Sequence, residues 1–171
     1  MSMRRLLISL TFFAALVLPG ASVSAQSFLA NSGDWSAFKD GAGASLTCYI
    51  ASAPIKETGN YQKRGDALVL VTHRPGEKSR DVVEFRAGYT YRKDSEVLVN
   101  IDGQVYKLFT DKEAAWAKDS KTDRSLTRAM IRGRSMVVTG FSSRGTKTVD
   151  TYSLKGFTAA YRTIGKACGV K

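Results

Sequence analysis

The sequence is poor in the residues from which most catalytic centres are built. It has one histidine, His73, and two cysteines, Cys48 and Cys168. A single histidine rules out a histidine-based metal site, and zinc would have to draw on carboxylates and thiols. Glycine-rich phosphate motifs of the G-x-G-x-x-G or G-x-x-x-x-G-K-[ST] type do not occur, and Gly41-Ala42-Gly43 neither follows a predicted strand nor opens a helix. A hydrolase would have to join His73 to Ser142 or Ser143 and Asp150. Gly140 to Gly145 is not a nucleophile elbow, however, and no strand-to-helix turn is expected there. His73 reads instead as a polar residue at a strand end. No enzyme activity, cofactor or metal is expected. Internal repeats and linkers are also missing, so the chain is expected to form one domain.

Long apolar runs are scarce as well. The only one, Leu6 to Leu18, follows a basic start with Arg4 and Arg5 and precedes Val23-Ser24-Ala25, whose small residues suit a cleavage site. The run falls short of the roughly 20 residues that span a bilayer. Residues 1–25 are therefore expected to be a cleaved signal peptide, and 26–171 the exported domain, in the periplasm or envelope or secreted. No later segment is apolar enough to cross a membrane.

Acidic residues are outnumbered. Lys and Arg total 26 against 15 Asp and Glu, and loss of Arg4 and Arg5 with the leader leaves 24 against 15, a net charge of +9. Such a surplus favours anionic partners. Nucleic acid is not expected, because the leader sends the chain out of the cytosol. The run Tyr89-Thr90-Tyr91-Arg92-Lys93, basic and aromatic together, reads as cross-strand packing. An even cysteine count in an exported chain predicts a Cys48–Cys168 disulfide, since the pair is far from a C-x-x-C arrangement.

What is present reads mainly as β. Leu46, Cys48 and Ile50 alternate with Thr47 and Tyr49, Ala67 to Val71 is continuously apolar, and Asp81 to Arg86 follows as a further strand. Gly33 to Ala44 reads as an ordered lead-in segment. Asp102-Gly103 predicts a two-residue hairpin turn that faces Ile101 with Gln104, Val99 with Tyr106 and Val97 with Leu108. A second hairpin is expected across Ser143-Arg144-Gly145. Two helices interrupt the pattern. The first runs from Asp123, as N-cap, to Arg132, with Gly133 as its stop and Leu126, Ala129 and Met130 on its buried arc. The second runs from Phe157 to Ala167 and turns Phe157, Ala160, Tyr161, Ile164 and Cys168 to one face. That face points Cys168 toward the sheet carrying Cys48. The expected fold is an antiparallel β-sandwich or partly closed barrel with one short helix and a C-terminal helix. On the first helix Arg124, Arg128 and Arg132 recur every four residues, Arg134 extends the series, and Ile131 lies near the same side. These four arginines are the candidate binding residues for anionic lipid, lipopolysaccharide or an acidic protein.

Several blocks together resemble the invasion-associated locus B family of α-proteobacterial envelope proteins. They are Gly33-Asp34-Trp35, Cys48-Tyr49 with Pro54, Arg64-Gly65, Val71-Thr72-His73-Arg74-Pro75, Gly88-Tyr89 and Leu108-Phe109-Thr110. Further on come Ala115-Trp116-Ala117-Lys118-Asp119, Ala129-Met130-Ile131-Arg132-Gly133, Met136-Val137-Val138, Ser143-Arg144-Gly145-Thr146, Asp150-Thr151-Tyr152-Ser153-Leu154, Gly156-Phe157 and Cys168. The resemblance implies an exported protein, with a link to host-cell invasion in the member that named the family, and it carries no catalytic residues. The expected role is binding or surface association without catalysis. A structural or stress-protective role in the periplasm is the alternative. The glycines of the matched blocks, Gly133, Gly145 and Gly156, are expected at turns and a helix end with positive φ.

Overall fold

Short runs of alternating apolar residues, each closed by a turn, build an antiparallel sheet of eleven strands. The computed structural model describes residues 26–170, so the expected signal peptide, residues 1–25, lies outside the described residues. The strands are β1 Ser27–Ser32, β2 Trp35–Asp40, β3 Thr47–Ser52, β4 Lys56–Gly59, β5 Leu68–Arg74 and β6 Ser79–Arg86. They continue with β7 Glu96–Ile101, β8 Gln104–Asp111, β9 Ala114–Trp116, β10 Ser135–Phe141 and β11 Lys147–Ser153. Helix α1, Ser120–Arg132, lies between β9 and β10, and α2, Phe157–Cys168, ends the fold. Across the sheet the order is β1-β2-β3-β5-β6-β9-β8-β7-β10-β11-β4, every pairing is antiparallel, and the sheet is not closed.

The sheet nevertheless rolls onto itself. β6 and β11 are separated by four strands in the order, yet Phe85 and Tyr152 pack edge to face at 6.2 Å. Trp35 of β2 donates its indole N–H to the Ser153 carbonyl of β11 at 2.9 Å. The expected sandwich or partly closed barrel is thus one rolled, open sheet. One contiguous core fills the concave side, running from Trp35 to Cys168 and including Leu126 and Met130 of α1 and Phe157, Ala160 and Ile164 of α2.

The Asp102-Gly103 hairpin has the expected register, with Ile101 opposite Gln104, Val99 opposite Tyr106 and Val97 opposite Leu108. Both turn residues have positive φ. The Asn100 side chain accepts from the Gly103 amide at 2.9 Å and closes the turn. The lead-in segment, by contrast, is an edge hairpin. Ser32 faces Trp35 across Gly33-Asp34, and Gly33 has φ +57°. That turn meets the one leading into α2: the Asp34 amide donates to the Lys155 carbonyl, and a side chain at Gly33 or Gly156 would strike the other turn's backbone.

Three local expectations are corrected. The N-cap of α1 is Asp119, whose carboxylate accepts from the Thr122 amide at 2.7 Å. Asp123 is instead buried in the helix and accepts the Val83 amide at 3.0 Å. Short β9 pairs only with Glu84 to Arg86, so beyond it the edge of β6 needs another acceptor, and Asp123 supplies it. Gly133 has φ −76° rather than a positive angle. Its reason for being glycine is space, because a Cβ there would stand 2.7 Å from Ile101 Cγ2 and 2.9 Å from Leu154 Cδ1. The Tyr89–Lys93 run forms no regular strand. Tyr91 makes a single bridge to Ser142, and Tyr89 and Tyr91 pack edge to face at 5.2 Å.

Candidate anion-binding surface

The helices carry the arginine series to the surface. Asp119 caps α1, Arg132 sits in its last turn, and both placements suit the helix dipole. Leu126, Ala129 and Met130 face the core, which leaves Arg128 and Arg132 exposed and Arg124 half-buried, with Arg134 exposed just beyond the helix. Among the described residues, none of the four has a carboxylate within ion-pair distance, although Asp123 lies close enough for its charge to feel Arg124. Ile131 turns out not to be part of the ridge. It packs against the core, and its carbonyl accepts the Thr158 hydroxyl of α2 at 3.1 Å.

That contact sets the two helices side by side, and α2 adds exposed Arg162 and Lys166, with Lys155 exposed just before it. α2 contains no acid. From Arg124 to Lys171 the sequence holds ten basic residues and one acid, Asp150. Asp150 is buried on β11, where Arg64 grips it with two nitrogens at 2.7 and 2.6 Å. The helical face is therefore basic without compensation.

The Arg64 pair is the strongest electrostatic feature elsewhere. Arg64 also donates to the Ala87 carbonyl at 2.7 Å, reaches Glu57 at 3.5 Å, and lies against the rings of Tyr61 and Tyr89. Burial opposes its charge, but the bonds to Asp150 outweigh that and raise its pKa. A polar cleft of about 720 Å³ opens above it, lined in part by Ser142, Ser143, Arg144 and Thr148. With every guanidinium contact taken by protein, Arg64 reads as a cross-link between the β4–β5 segment and β11.

His73, Ser142, Ser143 and Asp150 do not converge. Asp150 is held by Arg64, and the Ser142 hydroxyl accepts the Thr146 amide in the β10–β11 turn. His73 lies fully buried on β5, opposite Cys48, with Asp81 and Tyr161 as its neighbours. A bulge between Thr72 and Arg74 frees the Asp81 amide, which donates to His73 Nδ1 at 3.1 Å. Burial lowers the His73 pKa, against a smaller opposing pull from Asp81. The Tyr161 hydroxyl donates to Asp81 at 2.5 Å, and burial together with that carboxylate raises its pKa. Sequence reasoning missed this cluster, because the bulge that joins its members has no marker in the residues.

The expected disulfide is formed. Cys48 on β3 and Cys168 at the end of α2 are bonded, with Cα atoms 6.0 Å apart, and no cysteine is free among the described residues. Beside it, between α2 and the end of β5, lies an open groove of about 460 Å³ with almost wholly apolar walls.

A rolled antiparallel sheet, a disulfide-anchored C-terminal helix and two helices with exposed cations describe a mainly β protein. No helix among the described residues is long and apolar enough to cross a membrane. The chain belongs to the invasion associated locus B (IalB) family, whose model matches residues 35–165. No curated protein and no solved structure matches the chain. Family and disulfide together point to an exported, invasion-associated locus protein.

Proposed function

We propose that this protein is a non-catalytic component of the bacterial envelope that docks through its α1–α2 face onto phosphate-bearing lipid, in the form of anionic phospholipid or lipopolysaccharide. The observation that carries the reading is the row Arg124, Arg128, Arg132 and Arg134, which has no ion-pair partner among the described residues and lies on or just past a helix that touches an α2 without acids. Arginine forks match phosphate oxygens in geometry and charge. A like-charged row at i, i+4 spacing weakens its own helix by a few tenths of a kcal/mol per pair, so it persists against a small cost. The separation of Asp150 from His73 supports a role without catalysis.

The test replaces Arg124, Arg128 and Arg132 with glutamine and measures co-sedimentation with phosphatidylglycerol vesicles at low and physiological salt. Wild type should bind at low salt and release as salt rises, because exposed charges are screened beyond about 8 Å at physiological ionic strength. The variant should bind several-fold more weakly at low salt. Equal binding by the two proteins would refute the reading. Binding to an acidic protein but not to vesicles would replace lipid by a protein partner.

A further inference from the structure

We propose that the groove beside the C-terminal half of α2 holds one acyl chain of a phosphate-headed lipid, with the phosphate across Arg162 and Lys166 and the chain against Tyr161, Gly165 and Val170. This deepens the envelope-docking reading and rests on it, since it names what the helical face takes from a lipid surface.

Three independent features carry the proposal. The first is the groove itself. Its volume of about 460 Å³ falls in the range of small-molecule sites, and apolar walls with a few polar groups are what such sites present. The second is charge. Arg162 and Lys166 stand one turn apart on the groove's rim, both exposed, on a helix with no carboxylate. An apolar cavity beneath two cations is complementary to a molecule with an apolar tail and an anionic head. Lys and Arg stems can lie along the tail while their charged ends reach the head.

The third feature is His73, a wholly buried residue that borders the groove. Its Nδ1 accepts from the Asp81 amide, so the ring proton of the neutral imidazole sits on Nε2. That N–H is buried and has no acceptor among the described residues. Leaving such a donor unpaired is costly, and an acceptor from a ligand removes the penalty. The ester carbonyl of an acyl chain, a few atoms inward from the phosphate, is an acceptor of that kind, and it reaches Nε2 when the side chains that cover the ring part to admit the chain. Gly165 completes the picture. A glycine inside a helix is destabilising against alanine, and φ at Gly165 is not in the left-handed region that would require it. A Cβ there would stand 3.1 Å from the Val170 carbonyl, so glycine lets the chain end close over the helix at the groove's edge.

The chain has a single histidine, so ¹⁵N-histidine labelling of the full protein gives one imidazole to follow by NMR. Lauroyl-lysophosphatidic acid, added below its micelle concentration, should shift the Nε2 signal in a saturable manner. Inorganic phosphate alone should not. Lauroyl-lysophosphatidylcholine, with the same chain and ester but no net charge, should bind about tenfold more weakly, the loss expected for one good charged contact. Reversing both rim charges (Arg162→Glu with Lys166→Glu) should weaken binding at least as much, and Gly165→Leu should block it. If Gly165→Leu fails to fold, Val170→Asp serves in its place.

The proposal is overturned if the lysophosphatidic acid leaves the Nε2 signal unmoved, if the choline analogue binds equally well, or if filling the groove changes nothing. The α1 triple glutamine variant separates the two readings. Lost vesicle binding with the lysolipid shift intact supports both. An absent lysolipid shift with vesicle binding intact sinks this inference alone, and vesicle binding that ignores the α1 arginines sinks only the docking reading.

Discussion

At the scale of single residues, Asp123 is where the structure departs furthest from what the sequence indicates. A helix-starting aspartate at the surface would stay ionised at neutral pH. Buried against β6, Asp123 has its pKa pushed up to about 6, chiefly by desolvation, with the nearby charges of Asp81 and Asp119 adding to the rise and the Val83 amide opposing it. Its folded-state pKa is therefore above the ordinary value of 3.8. The folded chain holds this proton more tightly than the unfolded chain. Asp123 alone thus stabilises the fold as pH falls from about 7 toward 4, and it costs stability above pH 6. His73 works in the opposite sense. Its lowered pKa means that the unfolded chain protonates first, so its contribution is lost as pH drops below about 6.5. Asp123→Asn keeps an oxygen for the Val83 amide and removes the charge. By urea denaturation, the variant should exceed wild type by about 2 kcal/mol at pH 8, and the gap should close by pH 4. A gap that is constant across this range would show that Asp123 does not titrate between the two limits.

At the scale of elements, α2 depends on what pins it. It buries Phe157, Ala160 and Ile164, touches β1, β2, β3 and β5, and is held at its end by the Cys48–Cys168 bond. Replacing both cysteines by alanine opens a loop of 120 residues, for which chain entropy predicts up to nearly 5 kcal/mol. The large remaining core should keep the variant folded with a lowered melting temperature. Hydrogen exchange should accelerate first in the last turn of α2, from Ile164 to Cys168, before the β5–β6 pair loosens. Uniform acceleration across the sheet would show that the bond stabilises the whole fold rather than anchoring the helix. Elements whose local chemistry agrees with their burial were legible in the sequence. The Asp102-Gly103 hairpin, the apolar arcs of both helices and the disulfide all belong here. The β1–β2 hairpin carried a usable signal, Gly33-Asp34 between alternating Phe28, Ala30, Trp35 and Ala37, but serines and alanines made those strands look weak. β4 and β9 left no comparable trace. β4 is polar and exposed throughout, and β9 spans three residues, so both exist because neighbouring strand edges offer hydrogen bonds. The α1 arginines were legible as a row, whereas their union with Arg162 and Lys166 depends on a helix contact, Ile131 to Thr158, that spans 27 residues.

At the scale of the whole molecule, the question is whether net charge or its placement directs the protein to anionic partners. A positive surplus alone would attract any anionic surface in any orientation. The placement here is uneven. Fourteen of the 15 acids precede Arg124, and the exposed cations of the two neighbouring helices have no ion-pair partner among the described residues. Two sets of substitutions with equal charge separate the alternatives. One changes Arg124, Arg128 and Arg132 to glutamine. The other changes Lys56, Lys63 and Lys93, which are exposed on β4 and on loops outside both helices. Each removes three positive charges. If placement governs, the helix set should lose several-fold in vesicle binding at low salt and flatten its salt dependence, while the lysine set should stay within about twofold of wild type, as expected for charges that do not meet the lipid phosphates. Adding Arg162→Gln and Lys166→Gln to the helix set should then abolish what binding remains, because α2 supplies the other half of the face. Equal losses from the two triple sets would mean that the molecule is drawn in by its total charge, and the α1–α2 face would have no privileged role.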